Sequence, residues 1–288
     1  MSGRHDPSII DHRLARRMSL TNRLRPIAVV VAALLAAATI TVVGPSAAQA
    51  TRHGGSKPTV VLVHGAFADS SGWNAVTHRL LSDGYPVVAA ANPLRGVASD
   101  AAQVGALLGS ITGPIILVGH SYGGSVISTA ATGNSNVKAL VYIAGFSPEQ
   151  GETAVELSAK FPGSTLGETL RSVPLPDGNV DLYVDQKLFH HQFAADVPAR
   201  DAALMAAAQR PVTAAALNEP AGPPAWHTIR SYHLIAEADK NIPAQVGHFM
   251  AERARGTTLS VRGASHAVFV SRPAVTASFI ERAARETA

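Results

Sequence analysis

Six short apolar runs constrain the fold more than any other feature of this chain. They are "TVVLVH" (Thr59 to His64), "YPVVAAA" (Tyr85 to Ala91), "PIILVG" (Pro114 to Gly119), "VKALVYIAGF" (Val137 to Phe146), "SYHLIA" (Ser231 to Ala236) and "TTLSV" (Thr257 to Val261). A strand with one wet face alternates apolar and polar residues, whereas these runs are apolar almost throughout, as strands buried on both faces are. Burial on both faces requires helices above and below the sheet. The stretches between the runs supply them: "SGWNAVTHRLLSDG" (Ser71 to Gly84), "SDAAQVGALLGS" (Ser99 to Ser110), "SVISTAAT" (Ser125 to Thr132), "PAQVGHFMAERAR" (Pro243 to Arg255) and "RPAVTASFIERAARE" (Arg272 to Glu286) read as helices. Strand and helix in alternation give an α/β fold with a parallel sheet.

The alternation loosens between Ser147 and about Thr228 into prolines, glycines and short helical pieces such as "ARDAALMAAAQR" (Ala199 to Arg210). Both flanks of this insert belong to one sheet, so it reads as a helical cap over a site, not as a second domain.

The chain has 288 residues, no cysteine and a formal charge of +4. That charge sits at the start, because six of the 24 basic residues and two of the 20 acidic ones precede Thr51 and the remainder is neutral. A neutral body offers no basic stripe for nucleic acid. The basic leader runs into "IAVVVAALLAAATITVV" (Ile27 to Val43) and then "SAAQA" (Ser46 to Ala50), the pattern of a signal peptide cleaved after Ala50. We therefore expect residues 1–50 to be the leader, residues 51–288 to be the exported domain, and membrane contact to arise only through an uncleaved leader. Arg16-Arg17 with Met18 leaves both twin-arginine export and a start at Met18 open. The lack of cysteine excludes a lipoprotein anchor and any disulfide.

Gly119-His120-Ser121-Tyr122-Gly123 is a G-x-S-x-G directly after one predicted strand and directly before a helix. In that context the serine stands on a sharp turn, and the flanking glycines let neighbouring backbone pass close by. The helix N-terminus behind Ser121 favours negative charge developing beside its hydroxyl. A serine hydroxyl is a weak nucleophile at neutral pH and needs a base, and the base needs an orienting group. His266, in "RGASHAVF" after the last predicted strand, is the strongest base candidate. Asp239, in "AEADKNIP" at the carboxyl end of its strand, is the preferred acid, with Glu237 and Glu149 as competitors. The loop in "VLVHGAF" after the first strand places the Ala66 N–H beside that of Tyr122 as the expected oxyanion donors.

In chain order, the HG loop, the serine turn, the aspartate loop and the histidine loop resemble the α/β-hydrolase family across nearly all of residues 58 to 288. "VLVHGAFADSSGWN" and "LVGHSYGGSVI" are most similar to small bacterial members of a branch related to plant esterases and hydroxynitrile lyases. The resemblance implies ester hydrolysis without a cofactor. It also implies a reduced, six-stranded and mostly parallel sheet, since the chain starts at the first central strand. Serine at 121 departs from the aspartate of dehalogenases and epoxide hydrolases and from the cysteine typical of dienelactone hydrolases. Ala267 stands where similar hydroxynitrile lyases carry lysine. Lyase or perhydrolase chemistry on the same residues, and a slow-turnover ligand-binding role, remain as alternatives.

For the substrate, a neutral body and a cap rich in Ala, Pro and Phe point to small, uncharged esters or lactones. Phe67, Phe189, Phe193 and Trp226 are the candidate pocket residues, with packing of the cap onto the body as the competing role for the cap aromatics. Adjacent His190 and His191 diverge and have no carboxylate at helical spacing, so no metal site is expected.

Overall fold

A computed structural model describes residues 57–288; the leader, its cleavage site and the six residues after it lie outside the described residues. The first half alternates β1 (Thr59–Val63), α1 (Asn74–Ser82), β2 (Val87–Ala90), α2 (Val97–Gly109), β3 (Ile115–His120), α3 (Tyr122–Ala130) and β4 (Val137–Ile143). The insert then contributes α4 (Ala154–Ala159), β5 (Leu170–Pro174), β6 (Val180–Val184), α5 (Gln186–Phe193), α6 (Ala199–Ala208), β7 (Val212–Thr213) and α7 (Ala214–Asn218). The alternation resumes as β8 (Arg230–Ala236), α8 (Ala244–Arg253), β9 (Thr257–Val261), α9 (Val268–Ser271) and α10 (Pro273–Glu286).

The central sheet has six strands in the order β2-β1-β3-β4-β8-β9, and every pairing is parallel. The predicted reduced α/β-hydrolase sheet is thus the observed one. All six residues of β3 are buried, as are Val60 to Val63 of β1, which is why these segments carry no polar alternation. Strand order reverses between β1 and β3, whose ends align Val63 with Gly119. At such a switch point the two following loops part and leave a crevice at the carboxyl ends of the strands. The loops leaving β1 and β3 are those of Ala66 and Ser121.

The helical cap expected from the sequence also contains a small sheet. β5, β6 and β7 form a separate antiparallel sheet, with Leu170 opposite Val184 and Leu182 opposite Val212. Its hairpin closes at Asp177-Gly178, where Gly178 has φ of 85° and the Leu175 N–H donates to Asn179 O at 2.8 Å. The stretch "LRSVPLPDGNVDLYV" carries both the alternation and the Asp-Gly signal of a hairpin. One attachment of the cap to the body is the loop before α2: Arg95 pairs with Asp181 of β6 at 2.6 Å and donates to Pro211 O at 2.8 Å. The Glu219 carboxylate, just after α7, accepts the first N–H groups of α2 from Val97 and Ala98.

Helices α2 and α3 share a buried polar contact, the Tyr122 hydroxyl donating to the Asp100 carboxylate at 3.0 Å. Asp100 also accepts the Arg95 N–H. Burial nevertheless raises the Asp100 pKa above its ordinary value, these hydrogen bonds opposing it. The folded protein then holds this proton more tightly than the unfolded chain. The group's contribution to stability is most favourable below the ordinary carboxylate pKa and falls as pH rises through the raised value. Asp100→Asn removes the titration, so relative to the wild type it should fare better at about pH 7 than at about pH 4, as read by urea midpoints at each pH. Glycines offer a second check. A Cβ on Gly124 meets Phe146 N at 2.9 Å, whereas one on Gly109 at the exposed end of α2 meets nothing within 4 Å. Gly124→Ala should cost about 1–3 kcal/mol and Gly109→Ala should stabilise by up to about 1 kcal/mol, measured by urea unfolding.

Candidate active site

β3 ends at His120 and α3 begins at Tyr122, so the whole turn falls on Ser121, whose φ is 52° and ψ is −125°. Positive φ is strained for a residue with a Cβ. Main-chain bonds hold it: the Ser121 N–H donates to Ala144 O at 3.2 Å, and Ser121 O accepts from Gly124 at 2.9 Å and Phe146 at 3.1 Å. The crossing leaves no room for side chains. A Cβ on Gly65 would lie 2.6 Å from Ser121 Cβ, one on Gly119 2.6 Å from Gly123 O, and one on Gly123 2.6 Å from Val63 O. Gly124, pressed against the Phe146 backbone, belongs to the same crossing and was not singled out in the sequence, although the Gly123-Gly124 doublet was its signal.

Asp239 and His266 come together from the loops that follow β8 and β9, the last two strands of the central sheet. Nδ1 of His266 lies 2.6 Å from Asp239 Oδ2, with both side chains 1% exposed. The other carboxylate oxygen, Oδ1, accepts the Asn241 N–H at 2.7 Å and the Ile242 N–H at 3.0 Å. With its acceptor pairs so engaged, the carboxylate takes a proton donor at Oδ2, which assigns the hydrogen to Nδ1 and leaves Nε2 as the basic nitrogen. No hydrogen bond joins Ser121 Oγ to His266 in this structure; such contacts are often long without substrate and tighten with it. The competing carboxylates are engaged elsewhere, Glu149 with His227 at 2.9 Å and Glu237 with His248 at 3.1 Å.

Two further histidines shape the site without facing a carboxylate. His120 Nε2–H donates to His266 O at 3.1 Å, and its ring lies 4.7 Å from that of His266. Burial holds its pKa well below the ordinary value, so it is neutral. His64 accepts the Asn92 N–H on Nε2 at 3.1 Å and donates from Nδ1 to Gly65 O at 3.0 Å, a neutral tautomer that burial also favours. It fixes the loop that carries Ala66. Phe67, next along that loop, has φ of 60° and gives its N–H to Arg210 O at 3.0 Å, so its amide is spent. Ala66 and Tyr122 both front the cavity beside Ser121.

That cavity measures about 420 Å³. Its walls are Phe67 and Phe146 from the body, Phe161, Leu166 and Leu170 from the cap, Leu217 from α7, and Asn241 and Ile242 beyond Asp239; among the described residues no Asp, Glu, Lys, Arg or His lines it. Of the four expected pocket residues only Phe67 is on the wall. Phe193 instead sets its ring edge-on to His266 at 4.8 Å, with Phe189 stacked behind it at 4.9 Å. Trp226 donates to Pro148 O at 3.0 Å and stacks on His227, tying the two ends of the insert together. The wall mixes small residues such as Ala154, Ser158 and Gly163 with Leu166, Leu170 and Leu217 and with other aromatics, Phe146 and Phe161, and the cap residues among them are placed by the cap's path. His190 and His191 diverge, one to Val197 O and the other to Lys240. The assembled groups, a serine on a helix N-terminus and an imidazole oriented by a carboxylate, are the components of base-assisted nucleophilic attack.

Comparison with known proteins agrees with this architecture. The chain is 27% identical over 252 residues to the alpha/beta hydrolase nvfD of Aspergillus novofumigatus (strain IBT 16806), spanning 80% of this chain and 98% of that protein. Among solved structures it is similar to polyneuridine aldehyde esterase, with a TM-score of 0.69 at 16% identity over 78% of this chain and 98% of the other. It is similar also to the methylesterase MES16 from Arabidopsis, with a TM-score of 0.66 at 17% identity over 80% of this chain and 99% of the other. At these identities the structural likeness shows the fold, and it agrees with the resemblance to plant esterases. The model of the alpha/beta hydrolase family matches residues 60–279, and the chain belongs to that family.

Proposed function

We propose that the protein hydrolyses uncharged carboxylic esters or lactones by acyl transfer, with Ser121 as nucleophile, His266 as base and Asp239 as its orienting acid. The observation that carries this reading is the 2.6 Å contact between Asp239 and His266, buried beside a serine in a strained strand-to-helix turn. Ser121 Oγ attacks the carbonyl carbon as His266 Nε2 takes its proton. The Ala66 and Tyr122 amides receive the charge that develops on the carbonyl oxygen. Collapse expels the alcohol, protonated by His266, and water repeats the sequence to free the acid. A cavity without an ionisable wall side chain other than Tyr122, whose hydroxyl is committed to Asp100, favours an apolar substrate without charge. Two structural neighbours bear esterase names, which supports the same bond class.

The same groups also suit a second reading, a ligand-binding protein that turns over slowly. A fluorophosphonate separates the two. Rapid covalent labelling of Ser121 in the mature protein supports the hydrolase, and no adduct supports binding. With p-nitrophenyl esters of graded acyl length, Ser121→Ala should lower kcat by roughly a millionfold and Asp239→Asn by about 10⁴-fold. Activity surviving Ser121→Ala rules the mechanism out. We also propose export with cleavage after Ala50; amino-terminal sequencing of the protein recovered outside the cell should then begin at Thr51, and a sequence beginning within the leader overturns it.

A further inference from the structure

The Asp239 carboxylate takes its orientation from the loop that follows it, because the two N–H groups that grip Oδ1 belong to Asn241 and Ile242. What holds that loop therefore holds the carboxylate, and the cap holds it. Asn241 O accepts two hydroxyls, Ser158 Oγ from α4 at 2.7 Å and Ser164 Oγ at 2.9 Å. Lys240 O accepts the Thr165 N–H at 3.0 Å and the Gln192 side-chain amide at 2.9 Å. The same Gln192 Nε2 reaches Asn241 Oδ1 at 2.8 Å, while Gln192 Oε1 accepts the Thr165 hydroxyl at 2.8 Å. Gln192 is 2% exposed, so this amide is a buried polar group with both ends satisfied, an arrangement costly to disturb. Ser158 and Ser164 also line the substrate cavity. A ligand against that wall touches the residues that hold the acid loop.

We propose that Ser158, Ser164 and Gln192 are positioning residues: they clamp the loop after Asp239 to the cap and so tie the alignment of the Asp239–His266 pair to the wall of the substrate cavity. The inference rests on the acyl-transfer reading above. None of the three touches His266 or Ser121; each acts through the Asn241 and Lys240 backbone or the Asn241 side chain. One turn of α4 and one buried amide thereby carry information from the cap to the acid, which explains why two serines sit on an otherwise apolar wall. The geometry predicts an effect on turnover more than on binding, since misplacing a reacting group by about an ångström costs up to roughly a hundredfold in rate.

The test compares Ser158→Ala/Ser164→Ala with Ser158→Thr/Ser164→Thr, which keeps both hydroxyls, each with Asp239 intact and with Asp239→Asn. Steady-state ester hydrolysis should show kcat of the alanine pair down by about 10- to 100-fold with KM little changed, and the threonine pair recovering most of it. In the Asp239→Asn background the alanine pair should cause no further loss, because the clamp acts through that carboxylate. The low-field proton resonance of the His266–Asp239 hydrogen bond should weaken or move upfield in the alanine pair. An equal loss of kcat in both backgrounds, a rise in KM at constant kcat, or an unmoved resonance overturns the clamp. Should the pair fail to fold, Ser164→Ala alone is read by the same measurements at smaller amplitude. The resonance does not depend on turnover: a wild type that cleaves no ester removes the acyl-transfer reading, and the resonance then decides the clamp alone.

Discussion

Three pieces of backbone cross at Ser121 at separations that admit no Cβ: the loop after β1, the end of β3 and the start of α3. Gly65, Gly119, Gly123 and Gly124 make the crossing possible, each at a point where an added carbon would meet backbone or the serine's own Cβ. The geometry of the site follows from that closeness. Gly65 runs against Ser121, and Ala66 and Tyr122 both front the cavity beside the serine. Because Gly124 lies on Phe146, the end of β4 locks the serine's carbonyl and, through Ala144, its N–H. The strain at Ser121 is thus opposed from two neighbouring strands, and the hydroxyl stands at a helix N-terminus, where developing negative charge is favoured.

Electrostatics then separates three histidines that lie close together. His64 and His120 are buried without a carboxylate partner, and burial lowers the pKa of each, so neither brings positive charge next to His266. Their hydrogen bonds are spent on backbone: His64 on the β1 loop and His120 on the carbonyl of His266. Only His266 faces a carboxylate. The same side chain type serves twice as a neutral strut and once as an oriented imidazole, and the difference lies in the partner of one ring nitrogen.

The sequence made the central sheet legible because strands buried on both faces cannot hide their composition; each of the six apolar runs became a strand of that sheet. The positions of Ser121, Asp239 and His266 were legible because loops at strand ends are located once the strands are. Asp239 over Glu149 and Glu237 was readable for the same reason, and the two glutamates prove to be paired with histidines on other elements. The cap was less readable. Its Asp-Gly hairpin carried a recognisable signal, but short strands of mixed burial such as β5 compete poorly with the helical pieces around them. Phe189 and Phe193 were visible as large apolar groups, yet composition does not say which way a cap helix turns its face. Phe193 packs edge-on against the His266 ring, Phe189 stacks behind Phe193, and neither lines the cavity.

The cavity wall explains why the substrate is harder to read than the chemistry. Beneath α4 lies a hydrophobic cluster separate from the main core, built from Phe146, Ala154, Leu157, Ile242, Val246 and Met250. This small cluster, with Phe161, Phe249 and Leu217 packed against it, carries one side of the cavity, while the serine and imidazole are carried by the main core. What joins the two parts is polar: Asn241 takes hydroxyls from the cap on one side and gives its N–H to Asp239 on the other. A fold arranged in this way keeps Ser121, Asp239 and His266 at strand ends, where the sequence shows them, and much of the cavity wall in a layer whose positions only the path of the cap determines.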